Sequence, residues 1–211
     1  MADLKKLFDA VVDGDAKTTL AMTKAALAEG VTPDELVSKY MIPAMDEVGK
    51  RFEAEEYFVP ELLLAGRAMK GALEVLRPLL AASGAKPAGR VVIGTVKGDL
   101  HDIGKNLVAA MLEGAGFEVT DLGTDVAPEK FVEAVHAKNA EIVCLSALLT
   151  VTMPAMKTTL EALKAAGVRG KVKVMIGGAP VTDQYCREIG ADSYSENASA
   201  AVAAARNLVA A

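Results

Sequence analysis

At residues 83–89 the chain changes its pattern, and that change limits the fold more than any other feature. From residue 3 to about 82, apolar residues recur only at helical spacing. Thr32-Pro33-Asp34-Glu35 reads as a capping box with proline at the first helical position. Behind it Met41, Met45, Val48 and Phe52 form one apolar stripe. A further helix begins near Pro60 and carries Leu62, Gly66, Met69, Leu73, Leu76 and Leu80. Two shorter helices precede these, separated by Asp13-Gly14-Asp15 and closed by Gly30. Four helices with short connections predict a small four-helix bundle over residues 1–82. The stretch SGAKPAG, residues 83–89, is a linker by composition. Beyond it, strand-like runs at 90–96, 117–122, 141–146 and 172–176, with a weak fifth near 191–195, alternate with helical segments. Strand and helix in alternation imply right-handed crossovers and a five-stranded, doubly wound parallel sheet covered on both faces, over residues 90–211.

Composition removes several function classes. Hydrophobic residues are 52% of the 211, enough for a packed core; aromatics are only 4% and there is no Trp. A net charge of −5 argues against a phosphate-backbone binder, so no nucleic-acid partner is expected. Cys144 and Cys186 are the two cysteines, and the first lies in an apolar, strand-like run, so a disulfide framework is not expected. The N-terminal stretch lacks the apolar segment of a signal peptide. The longest uncharged run, Ile142 to Met156, is shorter than the ~18 residues of a membrane helix and contains Pro154. The expectation is a cytoplasmic protein with no membrane partner.

Parallel sheets of this kind bind ligands at the carboxyl ends of their strands, so the loops there are the places to look. After the first strand comes Lys97-Gly98-Asp99-Leu100-His101-Asp102-Ile103-Gly104-Lys105-Asn106. It is not a P-loop, because five residues rather than four separate Gly98 from Gly104 and Asn106 follows Lys105; the dinucleotide G-x-G-x-x-G pattern is absent too. What remains is Asp-x-His-x-x-Gly. In an extended loop residues i and i+2 point the same way, so Asp99 can accept a hydrogen bond from one ring nitrogen of His101 and leave the other as an electron donor. Taken alone, this loop is equally compatible with an ordinary loop histidine and Asp99 as a helix cap. Zinc fits less well, since the only other histidine, His136, falls in a helical segment far from any strand end. One histidine without protein co-ligands suits a metal that brings its own equatorial ligands. After the third strand comes Ser146-Ala147-Leu148-Leu149-Thr150-Val151-Thr152. After the fourth comes Gly177-Gly178-Ala179-Pro180, where missing side chains let a bulky group approach the backbone. Each of these two loops by itself also reads as a plain strand-end cap or turn.

Together, Asp99-x-His101-x-x-Gly104, Ser146-x-Leu148 and Gly177-Gly178 resemble the fingerprint of the cobalamin-binding Rossmann-like domain. The 45 residues from His101 to Ser146 agree with that family. Ile42 to Phe52 and Phe58-Val59-Pro60-Glu61-Leu62 resemble the helical cap that precedes this domain in methionine synthase and in the corrinoid proteins of microbial methyltransferase systems. The resemblance covers nearly the whole chain and leaves nothing over for a substrate-activating barrel.

The resemblance implies a flavodoxin- or Rossmann-like α/β domain behind a helical cap, carrying cobalamin (methylcobalamin, cob(I)alamin or a related corrinoid). It implies His101 as the lower axial cobalt ligand, with Asp99 behind it and Thr152 completing a hydroxyl relay where serine is more familiar. Gly98, Asp102, Ile103 and Gly104 would join them in the cofactor-binding loop. Ser146, Leu148, Thr150, Gly177 and Gly178 would line a slot for the cofactor's dimethylbenzimidazole tail. Phe52 and Val59 would cover the upper face, although both also read as plain bundle core, and SGAKPAG would be the hinge that frees it. The implied function is a methyl carrier without turnover of its own, its cobalt cycling between Co(I) and methyl-Co(III). The implied partners are a substrate:corrinoid methyltransferase, a second methyltransferase whose acceptor is tetrahydrofolate or coenzyme M, and a reductive activase. Methanol, methylamines, glycine betaine and aryl methyl ethers all remain open as donors. The alternatives are the small subunit of a cobalamin-dependent mutase, against which the helical residues 1–82 speak, and a cobalamin-binding sensor or regulator, against which the acidic charge speaks.

Overall fold

The computed structural model describes residues 3–84 and 86–210. By packing, the chain divides into two units: Met1–Pro87 with Ala110–Gly116, and Ala88–Ala109 with Phe117–Ala211. Within the linker, Ala85 lies outside the described residues, as do Met1, Ala2 and Ala211.

The first unit is built on helical rods. Helix α1 (Leu4–Val12) is capped by Asp3, and α2 (Ala16–Ala28) by Asp15, whose carboxylate accepts from the Thr18 N–H. The third rod is not one regular helix. It comprises α3 (Pro33–Leu36), a π-helical turn (Val37–Met41) and α4 (Ile42–Glu53). Pro43 explains the break. It has no N–H to give the carbonyl of Lys39, and the π turn, closed by the Ile42 N–H on Val37 O, places it at the start of a new helical segment where the missing donor costs nothing. The Thr32 hydroxyl caps Glu35 N as expected, while the Glu35 carboxylate pairs with Lys39 one turn on rather than closing a box. The fourth rod, α5 (Val59–Ser83), buries Leu62, Gly66, Met69, Leu73 and Leu76, and ends at Gly84 with φ 73°. Leu7, Val11, Leu36, Met41, Met45 and Val48 complete the apolar interior. This is the expected four-rod bundle.

The second unit alternates β1 (Arg90–Thr95), α6 (Ile103–Gly114), β2 (Glu118–Asp121), α7 (Pro128–Lys138), β3 (Ile142–Ser146), α8 (Pro154–Ala165), β4 (Lys173–Gly177), α9 (Asp183–Ile189), β5 (Ser193–Tyr194) and α10 (Ala198–Ala210). All five strands are parallel, in the order β2-β1-β3-β4-β5. That is the flavodoxin-like order, with its switch point between β1 and β3. β1, β3 and β4 are buried on both faces. Val92, Val143, Leu145, Val174 and Ile176 meet Phe131, Met156, Leu160 and Leu163 from α7 and α8, while Val91, Ile93, Ile142, Cys144 and Met175 alternate with them toward the other face. Gly94 is glycine because a Cβ there would stand 2.8 Å from the ring of Phe131.

Candidate functional site

The loops after β1 and β3 meet at the switch point, and Asp99 is where they join. Its side chain is completely buried. One carboxylate oxygen accepts from the His101 ring nitrogen Nδ1 at 2.8 Å and from the His101 backbone N–H at 3.1 Å. The other accepts from the backbone N–H of Leu148 at 2.8 Å and from the Thr152 hydroxyl at 2.6 Å. Thr152 Oγ1 also lies 2.8 Å from Leu149 O, but its single proton goes to the charged oxygen, the stronger acceptor. Burial by itself would raise the Asp99 carboxyl; the hydrogen bonds from Thr152, Leu148 and His101 outweigh it and hold the group well below the usual carboxylate range. Asp99 is therefore an anion facing Nδ1, which carries the proton toward it, so that in the neutral ring Nε2 is the nitrogen with the lone pair. The imidazole itself is half exposed, at 51%.

The surroundings suit a large, flat, partly apolar ligand rather than a bare ion. Leu100 and Ile103 are each 73% exposed and Val151 is 80% exposed, with Leu148 and Leu149 at 42%. Five large apolar side chains standing in water on the two loops that carry the Asp99–His101–Thr152 relay form a rim ready to be covered. A Cβ added to Gly104 would meet nothing within 4 Å, so the start of α6 is open to close approach. Among the described residues no group of three or more His, Cys, Asp or Glu could hold a metal. The donor set here is one imidazole, which fits a metal already bound in a macrocycle.

At the neighbouring strand ends, Ser146 pairs across to Gly177. Gly178 has φ 129°, and a Cβ there would lie 1.9 Å from Ala147 O, so the backbones after β3 and β4 are pressed together as only glycine permits. Thr150 is exposed in the turns after β3, and Gly98 and Asp102 are exposed beside His101. His136 is exposed on α7, apart from this arrangement. In the helical unit, Phe52 is half-buried on α4, and Val59 opens α5 among the exposed Phe58, Leu63 and Leu64. Sequence reading left Leu100, Leu149 and Val151 out of the site; with Ile103 and Leu148 they are the large apolar residues of these loops, and that clustering was the available signal.

Profiles of a B12 binding domain match residues 89–203 and, separately, residues 3–77. The chain is a member of the B12-binding corrinoid proteins. It is 44% identical to the dimethylamine corrinoid protein of Methanosarcina barkeri, over 98% of this chain and 97% of that one. It is 45% identical to trimethylamine corrinoid protein 1 of Methanosarcina mazei, over 92% and 91% of the two chains. Among solved structures it resembles the methanol:cobalamin methyltransferase complex MtaBC of Methanosarcina barkeri, with a TM-score of 0.87 at 29% identity, over 98% of this chain and 79% of that one. The two matches together cover most of this B12-binding protein, and the relay at Asp99 lies inside the match to residues 89–203.

Proposed function

We propose that this protein is a corrinoid methyl carrier, with His101 as the lower axial ligand of a cobalt corrinoid. The observation that carries the reading is an ionised, buried Asp99 holding His101 Nδ1 at 2.8 Å amid an exposed apolar rim, so that Nε2 is the donor nitrogen. When bound, the cofactor supplies a cobalt centre able to take up and give up a methyl group. The protein supplies ligand control. Asp99 fixes the tautomer and ring direction, and Thr152 and Leu148 fix Asp99. Gly98, Asp102, Ile103 and Gly104 border the ligand loop, and Ser146, Leu148, Thr150, Gly177 and Gly178 receive the cofactor's nucleotide tail. Residues 1–82 act as the helical cap, 83–89 as its linker and 90–211 as the B12-binding domain, with Phe52 and Val59 offered to the cofactor's upper face.

The carrier works between two enzymes in the cytoplasm: a substrate:corrinoid methyltransferase and a second methyltransferase passing the group to tetrahydrofolate or coenzyme M. A reductive activase restores accidentally oxidised cobalt. Because relatives at 44% and 45% identity are named for dimethylamine and trimethylamine, methylamines are the donors to test first, with methanol next.

The test is to refold the protein with hydroxocobalamin, desalt it and record its absorbance. About one corrinoid retained per chain supports the reading, and a colourless but folded protein overturns it. His101→Ala is expected to retain cobalamin through the tail while losing the lower nitrogen; a methylated variant with the wild-type spectrum would remove His101 from the ligand role.

A further inference from the structure

The His101 loop is held by more than Asp99. Further anchors come from the end of β2 and the connection after it, Asp121-Leu122-Gly123-Thr124-Asp125-Val126. Asp125 stands at φ 54°, a conformation that aspartate tolerates. There its Oδ1 accepts from the Gly98 N–H at 2.8 Å, its Oδ2 accepts from the Lys97 ammonium at 3.0 Å, and its own N–H donates to Asp99 O at 2.9 Å. The Gly98 N–H first, then Lys97, hold the Asp125 carboxyl below its ordinary value. The same connection clasps the end of β1: Thr95 N–H donates to Gly123 O, Val126 N–H donates to Thr95 O, and Val96 bridges to Val126. Thr95, fully buried, donates its hydroxyl to His101 O at 2.8 Å.

The other end of the loop is reached from Asp121. The Lys105 side chain, on the first turns of α6, is only 1% exposed, which an ammonium tolerates only when paired. It donates to Asp121 Oδ2 and, at 2.6 Å, to Asn106 Oδ1. The Asn106 amide donates to Asp102 Oδ2 at 3.0 Å, and its backbone N–H donates to Asp102 O at 2.7 Å. Asp102 directly follows His101.

We infer that Asp121 and Asp125 are positioning residues that brace the His101 loop from its two ends, Asp125 through Gly98 and Asp121 through Lys105, Asn106 and Asp102. Their side-chain hydrogen bonds go to Lys97, Gly98, Lys105 and Gly123 rather than to the His101 ring. Their effect is to fix the backbone on which the imidazole stands, so that Nε2 is presented in one place. The inference rests on His101 as the cobalt ligand, and the experiment separates the two.

Hydrogen exchange across residues 96–106 is measured on the cofactor-free full chain for wild type, Asp125→Gly, Asp125→Asn and Lys105→Met. Nitrogen splitting in the Co(II) electron paramagnetic resonance spectrum and hydroxocobalamin affinity are then measured on the same proteins. Glycine keeps the positive φ at 125 while deleting the carboxylate, and asparagine keeps an oxygen for Gly98. Methionine matches the length of Lys105 without its charge and leaves Asp121, 39% exposed, to water. Asp125→Gly and Lys105→Met are expected to exchange about tenfold faster in the loop, bind about tenfold more weakly and lose resolved nitrogen splitting, the scale of one lost hydrogen bond to a charged group. Asp125→Asn is expected to restore wild-type behaviour. Wild-type exchange and splitting in Asp125→Gly would overturn the brace, as would Asp125→Asn behaving like Asp125→Gly. Should Lys105→Met not fold, Asp121→Ala, which leaves Lys105 without that acceptor, takes its place with the same expectations. His101→Ala is the control: if it keeps the nitrogen splitting the ligand assignment fails, while loop exchange still decides the brace.

Discussion

Asp99 concentrates the chemistry of this chain in one side chain. Its two oxygens serve His101, Leu148 and Thr152, all of which would be orphaned together if the acceptor were lost. Asp99→Asn offers one oxygen and turns an NH2 toward groups that are themselves donors. It is expected to cost about 1–3 kcal/mol at pH 7. The pH dependence has a defined sign. A carboxyl held below its unfolded value of about 3.9 contributes stability that is present above that pH and lost as pH falls through the folded value. The gap between wild type and Asp99→Asn in urea unfolding should therefore stay open from pH 7 down to pH 5 and shrink below about pH 4. A gap that closes already at pH 5 would mean the hydrogen bonds do not outweigh the burial of Asp99.

At the scale of elements, the strand ends do the positioning. β3 and β4 run in register to Ser146 and Gly177, and one residue later Gly178 passes so close to Ala147 that no side chain fits. Gly178→Ala must both leave φ 129° and push the two loops apart. It is expected to cost about 3 kcal/mol, read as a lowered Tm, and to abolish retention of hydroxocobalamin. Much at this scale was legible in the sequence, because period and punctuation are local: each strand lies within a residue or two of its apolar run, and Gly30 and Asp13-Gly14-Asp15 separate the helices as read. The π turn before Pro43 was not legible. The apolar stripe through Met41, Met45 and Val48 continues across it, and only the backbone registers the missing donor. Nor was the delay before α8, where Thr152 and Met153 both turn back onto Leu149 O before the helix starts at Pro154.

For the whole molecule, what the sequence disclosed of the site divides by separation along the chain. Asp99 and His101 are two residues apart, so their pairing follows from the geometry of an extended loop. The contacts of Asp125 with Gly98 and of Lys105 with Asp121 span 27 and 16 residues, and nothing in either neighbourhood announces them until the parallel pairing of β1 with β2 brings them together. The two cysteines follow the same division. Cys144 was readable as a core residue from its strand; its thiol is pushed up by burial to about 12, and burial raises Cys186 as well. Both are expected to resist a thiol reagent at pH 8 in the folded chain and to react in full once urea unfolds it. Labelling of Cys144 without unfolding would show that the sheet opens locally.

The apolar rim has a cost that falls on the protein's life history rather than its chemistry. Leu100, Ile103 and Val151 stand in water until something flat lies on them. Freshly made chains should therefore bind a hydrophobic dye such as ANS, clump on warming, and lose both habits when hydroxocobalamin is added, with Tm rising as the free cofactor rises above its Kd. A cell short of cobalt would then hold less of this protein in total, because chains left bare are those that chaperones and proteases remove first.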